Sequence, residues 1–179
     1  MKALSLEREY YRRKRDAEAD KTSEAYKTNQ YKVNQASQKL GEAAAEAYVL
    51  NRDPAAQKLY PQPGDQTAAG VFDQVWQLSD GKVIVIEAKG GSSPTGSREI
   101  SSDVDSKNFG KIAEQGSTEY LYEIIASMKS KGGNAKEVAV KIEDAIFLEK
   151  FEYDIVRQKI DGNTLAPIEY QKFIIEKPE

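Results

Sequence analysis

The sequence predicts an α/β fold: a mixed β-sheet flanked by helices, with a polar helical extension at the N-terminus. Three observations predict it. Residues 37–50 are rich in alanine, and Leu40, Ala43, Ala44, Ala47 and Tyr48 recur at helical spacing. Residues 82–88, Lys-Val-Ile-Val-Ile-Glu-Ala, are β-branched and apolar on both faces, as a central strand requires. Helical and extended segments then succeed one another to the C-terminus. At 179 residues one domain is the default, and such a chain buries roughly 70% of its unfolded surface.

Residues 1–40 are polar, carry the basic run Arg12-Arg13-Lys14-Arg15 and have almost no aliphatic side chains after Leu6. They read as a polar helix, a linker, or both, with the extension bounded at 1–36 and the domain at 37–179. Asn51-Arg52-Asp53-Pro54 ends the alanine-rich helix, because proline disfavours helical backbone before it. Tyr60 to Asp65, with two prolines and a glycine, reads as a loop. Val71 to Leu78 is a strand, and Ser79-Asp80-Gly81 turns it into the run at 82–88. Gly90 to Ser97 is a loop, and the chain up to Gly110 is irregular.

Ile112 to Lys131 reads as a helix or a broken pair of turns, with Leu121, Ile124, Ile125 and Met128 as its buried stripe. Gly132-Gly133-Asn134 stops it. Lys136 to Phe147 is a helix by the phase of Val138, Ile142, Ala145 and Ile146; a strand over 138–142 is the alternative. Phe151 to Ile160 and Thr164 to Ile175 are strands joined by a turn at Asp161-Gly162-Asn163.

The chain contains neither cysteine nor histidine. That excludes disulfides, thiolate nucleophiles, sulfur-bound metals and every imidazole-based catalytic scheme. Any enzyme chemistry must use carboxylate, lysine, arginine, tyrosine, hydroxyl or amide groups. Any metal would have oxygen ligands, which favours Mg²⁺, Mn²⁺ or Ca²⁺. The net charge of −3 is uneven: the first forty residues are net basic and the remainder is net acidic. No apolar run is long enough for a membrane span, so no membrane partner is expected.

Glu87 and Lys89 stand two apart at the end of the central strand, so their side chains share a face, while Ala88 turns to the other. Charges at the end of an apolar strand are costly to desolvate without partners. If Ser79-Asp80-Gly81 is a three-residue loop, Val75 faces Val85, Trp76 faces Ile84, and Asp73 faces Glu87. If Asp80-Gly81 is a two-residue loop, Asp73 faces Ala88 and the carboxylates lie on opposite faces. The three-residue loop is preferred, with Gly81 as its left-handed residue. Facing carboxylates repel, and a divalent cation resolves the repulsion. Such an ion can polarise a phosphoryl oxygen and acidify an attacking water. Lys89 would orient that water or stabilise charge developing on phosphorus.

Asp73 on one strand and Glu87-Ala88-Lys89 on the next resemble the signature of the PD-(D/E)XK nuclease superfamily, whose fold is restriction-endonuclease-like. Gly41-Glu42-Ala43 resembles the first core helix of that superfamily, which often supplies an acidic residue; Glu42 matches it, with Glu46 one turn on as a rival. Ala113-Glu114-Gln115-Gly116-Ser117-Thr118-Glu119-Tyr120-Leu121 resembles the Gln-Gly-Thr-x-Glu-Tyr-type motif of restriction-endonuclease-fold toxin domains in bacterial polymorphic toxins. The resemblance covers roughly residues 38–130, and Phe72 departs from it by standing where a literal Pro-Asp pair has proline.

The resemblance implies a nuclease using Mg²⁺ or Mn²⁺, acting on DNA ahead of RNA. It further implies delivery by a bacterial secretion system into a target-cell cytoplasm, and a cognate immunity protein as partner. Asp73, Glu87 and Glu42 would hold the metal, Lys89 would stabilise charge, and Gln115 would position water or phosphate. An RNase or tRNase on the same fold is the alternative substrate class. A noncatalytic protein-interaction module is the alternative from another class; in it Glu87 and Lys89 form a strand-end ion pair, Glu42 is a solvated helix glutamate and Gln115 bonds locally. Trp76 and Tyr120 read as packing, and the basic run as a solvated helix face or a clamp on phosphates.

Overall fold

The computed structural model describes residues 1–65, 67, 69–102, 107–161 and 164–176. Its helices are α1 (Lys2–Asp16), α2 (Glu24–Arg52), α3 (Thr118–Lys131) and α4 (Gly133–Phe147). Its strands are β1 (Gln57–Tyr60), β2 (Gln74–Gln77), β3 (Val83–Gly90), β4 (Ser97–Glu99), β5 (Ile112–Glu114), β6 (Phe151–Asp161) and β7 (Thr164–Phe173). The expected α/β class with a mixed sheet and flanking helices is what forms.

One sheet has the order β1-β2-β3-β6-β7, and β4 pairs with β5 apart from it. The first three strands form an antiparallel meander. The N–H of Val83 donates to the carbonyl of Lys150, and at the far end that of Gly91 donates to Gln158, each at 2.8 Å. The two strands therefore advance together, and β3 and β6 are parallel. A parallel neighbour needs a crossover of a dozen or more residues, and α3 and α4 lie in that connection. β7 runs back along β6: Lys172 reaches Glu152 near the start of β6, and Glu169 reaches Lys159 near its end, each at 2.8 Å.

The described residues divide into two compact units. One comprises the described parts of Val49–Glu87, Pro94–Ile155 and Gln171–Glu179. Its core joins Val75, Val83, Val85 and Tyr153 of the sheet to Leu121, Ile124, Ile125 and Met128 of α3 and to Val138, Ala139 and Ile142 of α4. The expected α3 stripe is thus buried. Ser117 starts that helix by accepting the Tyr120 N–H on its hydroxyl at 3.1 Å, and Gly132, at φ 74°, ends it. Residues 138–142 are helical: Val138 and Ile142 are buried while Val140 is 40% exposed, a pattern no strand produces.

The other unit comprises the described parts of Met1–Tyr48, Ala88–Ser93 and Val156–Tyr170. Here α2 is continuous across residues 36 and 37. Its buried stripe is Val33, Ala36, Leu40, Ala44 and Ala45, whereas Ala43, Ala47 and Tyr48, expected on that stripe, are only half-buried. Gly41 lies directly on the end of β3: a Cβ there would meet the Gly90 nitrogen and the Lys89 carbonyl carbon at 2.8 Å. Glycine is the residue that permits this approach.

Several expected boundaries are corrected. The loop expected from Tyr60 begins one residue later, because Tyr60 closes β1. The strand expected over 71–78 is only Gln74–Gln77, so Asp73 sits in a bend before it. The irregular stretch after Gly90 contains β4, and the helix expected from Ile112 begins as β5, whose partner is β4. The turn expected at Asp161-Gly162-Asn163 lies partly outside the described residues.

Candidate active site

The β2–β3 hairpin closes as the three-residue loop. Leu78 donates to Lys82 at 2.8 Å, Gly81 donates back to Leu78 at 2.9 Å, and Gly81 has φ 81°. The ladder pairs Gln74 with Ile86, Val75 with Val85 and Trp76 with Ile84. Asp73 directly precedes Gln74 of the first of these pairs, so the register carries it toward the face that bears Glu87.

Glu87 is 2% exposed. The Tyr153 hydroxyl donates to its Oε1 at 3.2 Å. Burial, and then the charge of Glu87, push the Tyr153 phenol far above its ordinary value, so it remains a protonated donor at any physiological pH. Tyr120 is pushed up as well, by burial first, then by Glu87 and next by Asp73. Both carboxylates thus add to the upward shift of one phenol.

Gln115 is buried between β5 and α3 and clamps the loop after β3. Its N–H donates to the Gly96 carbonyl and its Oε1 accepts the Gly96 N–H, each at 2.9 Å. Both bonds reach a loop nineteen residues earlier in the chain.

Glu123, 3% exposed, holds the neighbouring segment by accepting from the Ser101 N–H, the Ser101 hydroxyl and the Ser102 N–H at 3.0–3.2 Å. Burial raises its pKa, yet these donors outweigh burial and hold it below the ordinary carboxylate value.

Lys89 and Glu42 belong to the other unit. Lys89 follows Glu87 by two on β3 and is half-buried. Glu42 is half-buried on α2, beside the Gly41 contact with Lys89, and accepts from Gln38 at 2.9 Å. Glu46 is exposed. Trp76 is buried as expected, its indole N–H donating to Gln74 at 2.9 Å.

The sequence reading missed Tyr153, Glu123 and the fully buried Asp154 of β6. Tyr153 meets Glu87 only through the nonlocal β3–β6 pairing, which no local pattern announces. Among the described residues no three acidic side chains form a group that could hold a metal ion. A cation taken by Asp73 and Glu87 would complete its shell with carbonyl, water and phosphate oxygens, which suits Mg²⁺. Among the described residues no helix is long and apolar enough to cross a membrane. No protein-family model, curated protein or solved structure matches this chain.

Proposed function

We propose that the chain is a metal-dependent endonuclease of the PD-(D/E)XK type on a restriction-endonuclease-like fold, acting on DNA ahead of RNA. The observation that carries this reading is the β2–β3 register, which turns Asp73 toward the face of the buried Glu87. The mixed five-stranded sheet, with helices in the crossover and Glu-x-Lys closing a central strand, is compatible with it. Asp73 and Glu87 would hold the cation. When bound, Mg²⁺ or Mn²⁺ supplies Lewis acidity toward a phosphoryl oxygen and an attacking water.

The chain's own groups do the rest. Tyr153 donates to Glu87 and keeps its carboxylate oriented. Lys89 places a positive charge for the phosphorane-like transition state. Gln115 fixes the loop at Gly96. On this reading the chain is a secreted or injected antibacterial toxin domain acting in a target-cell cytoplasm, neutralised by an immunity protein.

Incubation with plasmid DNA and total RNA in parallel, with Mg²⁺ and with Mn²⁺, tests it. Chelator-sensitive cleavage is expected, and Glu87→Gln or Lys89→Ala should reduce it by about 10²-fold or more. Full activity in either variant rejects the site. Absence of cleavage with any divalent metal favours the interaction module, and cleavage of RNA alone favours the RNase reading.

A further inference from the structure

A cavity of ≈ 770 Å³ lies within the unit that contains α1 and α2. Arg8, Arg12 and Arg15 of α1 line it together with Arg157 and Lys159 of β6, and Glu9 is the one acidic side chain among the lining residues. Carboxylates account for part of this charge. Glu9 pairs with Arg12 at 2.7 Å and Arg13 at 3.0 Å, Asp16 with Arg15 at 2.6 Å, and Glu169 with Lys159 at 2.8 Å.

Arg8 and Arg157 are bound differently. Arg8 donates its Nε to the Ser37 hydroxyl at 2.8 Å. Arg157 donates one terminal nitrogen to the Ser93 carbonyl. Among the described residues neither pairs with a carboxylate, and each keeps terminal N–H groups for a ligand. Arg8 has its pKa lowered by burial and then by the charge of Arg12. Such crowding of like charge is relieved when an anion enters.

The floor of the cavity is backbone. Gly91 has φ +67°, and a Cβ there would stand 2.9 Å from Arg8 Nη2. Glycine thus lets the guanidinium lie against the chain, and Ser92 adds an exposed hydroxyl. Gly91 follows Lys89 by two residues, about 7 Å along an extended chain.

We propose that this cavity binds the phosphodiester backbone of a nucleic acid, with Arg8 and Arg157 as the principal phosphate ligands. The planar fork of arginine suits phosphate oxygens. The cavity is far larger than one phosphate ion needs, which favours a chain of phosphates. The choice of nucleic acid as their source rests on the nuclease reading above.

The test is fluorescence anisotropy of labelled duplex DNA, and in parallel RNA of the same length, with the full chain in EDTA so that no strand is cut. Binding is followed between about 50 and 200 mM salt. The Arg8→Ala/Arg157→Ala double variant should bind about tenfold more weakly or worse, with a log–log salt slope shallower by about two. Lys14→Ala, the loss of one charge on the exposed side of α1, should stay within about twofold. Circular dichroism checks the fold. Should the double variant not fold, Arg157→Gln alone carries the test, with a slope change of about one.

Wild-type affinity and slope in the arginine variants overturn the proposal. So does a wild-type chain that is stabilised by pyrophosphate but binds neither oligonucleotide. A chain that binds as expected but never cuts refutes the nuclease reading and leaves the cavity; one that cuts, yet binds equally without the two arginines, does the reverse.

Discussion

Replacing Gly90 with alanine tests how closely α2 is fitted to the end of β3. A Cβ at Gly90 would stand 1.9 Å from the Ser37 carbonyl oxygen, 2.8 Å from its carbon and 3.0 Å from the Gly41 nitrogen. All are backbone atoms, so no side chain can swing aside. Restoring an ordinary contact of about 3.5 Å requires helix and strand to part by roughly 1.5 Å. Overpacking on this scale costs about 3 kcal/mol. The reciprocal change behaves differently. A Cβ at Gly41 meets backbone at 2.8 Å, a clash worth about 1–2 kcal/mol. Alanine inside a helix returns roughly 0.5–1 kcal/mol of that. Gly41→Ala should therefore cost about 1 kcal/mol, and Gly90→Ala should lower the melting temperature by roughly 6–12 °C for a chain of this size. Lys89 is next to Gly90, so a displacement of this size would also reduce any cleavage by up to about 10²-fold. Thermal and urea denaturation of the two variants decide the matter. A Gly90→Ala protein that melts with the wild type, or a Gly41→Ala protein that is the worse of the two, refutes the reasoning.

Two further changes act in the other unit. Glu152, with 13% of its side chain exposed, accepts from Arg52 at 2.6–2.7 Å, from Lys82 at 2.7 Å and from Lys172 at 2.8 Å. These cations, Arg52 first, hold its pKa far below the ordinary carboxylate value despite burial. Because the folded-state value is depressed, the stabilisation is present above the unfolded value and is lost as pH falls through the folded one. Screening by solvent limits Glu152→Gln to about 1–2 kcal/mol at pH 7; urea midpoints should show the gap narrowing as pH falls below about 5, and a pH-independent gap would sink the account. Tyr153→Phe keeps ring contacts with Phe72 and Phe173, at 6.0 and 5.5 Å between centroids, and loses the hydroxyl that donates to Glu87. It should cost about 1–2 kcal/mol in urea, and a variant as stable as wild type would show that the bond to Glu87 contributes nothing.

What the sequence made legible was local. The β2–β3 register followed from one turn, because Gly81 at the third loop position restricts how the strands can pair. The apolar phase of α3 and α4 was legible for the same reason. The elements that escaped have little pattern to read. β1 is mostly half-exposed, and β4 and β5 are three residues each with mainly exposed side chains. The α1–α2 segment buries polar groups, Ser5, Glu9 and Ser37, where hydrophobic periodicity has nothing to register. Tyr153 and Glu123 depend on partners far along the chain, so their burial beside charge was not predictable from spacing.

The charge asymmetry of the sequence also changes meaning once the helix is drawn. The run Arg12-Arg13-Lys14-Arg15 is contiguous, but an α-helix distributes four successive residues around its whole circumference. Arg12 and Arg15 line the cavity, while Arg13 and Lys14 are exposed. The residue that joins Arg12 and Arg15 is Arg8, outside the run, because positions i, i+4 and i+7 share a face. Glu9, held at a pKa of about 2 chiefly by Arg12, stays ionised and orders the arginines around it. A net-negative chain can in this way present a concentrated positive cavity. It follows that neutralising Arg13 and Lys14, the centre of the basic run, tests the wrong face: a polyanion held in the cavity would release little affinity there and much at Arg8.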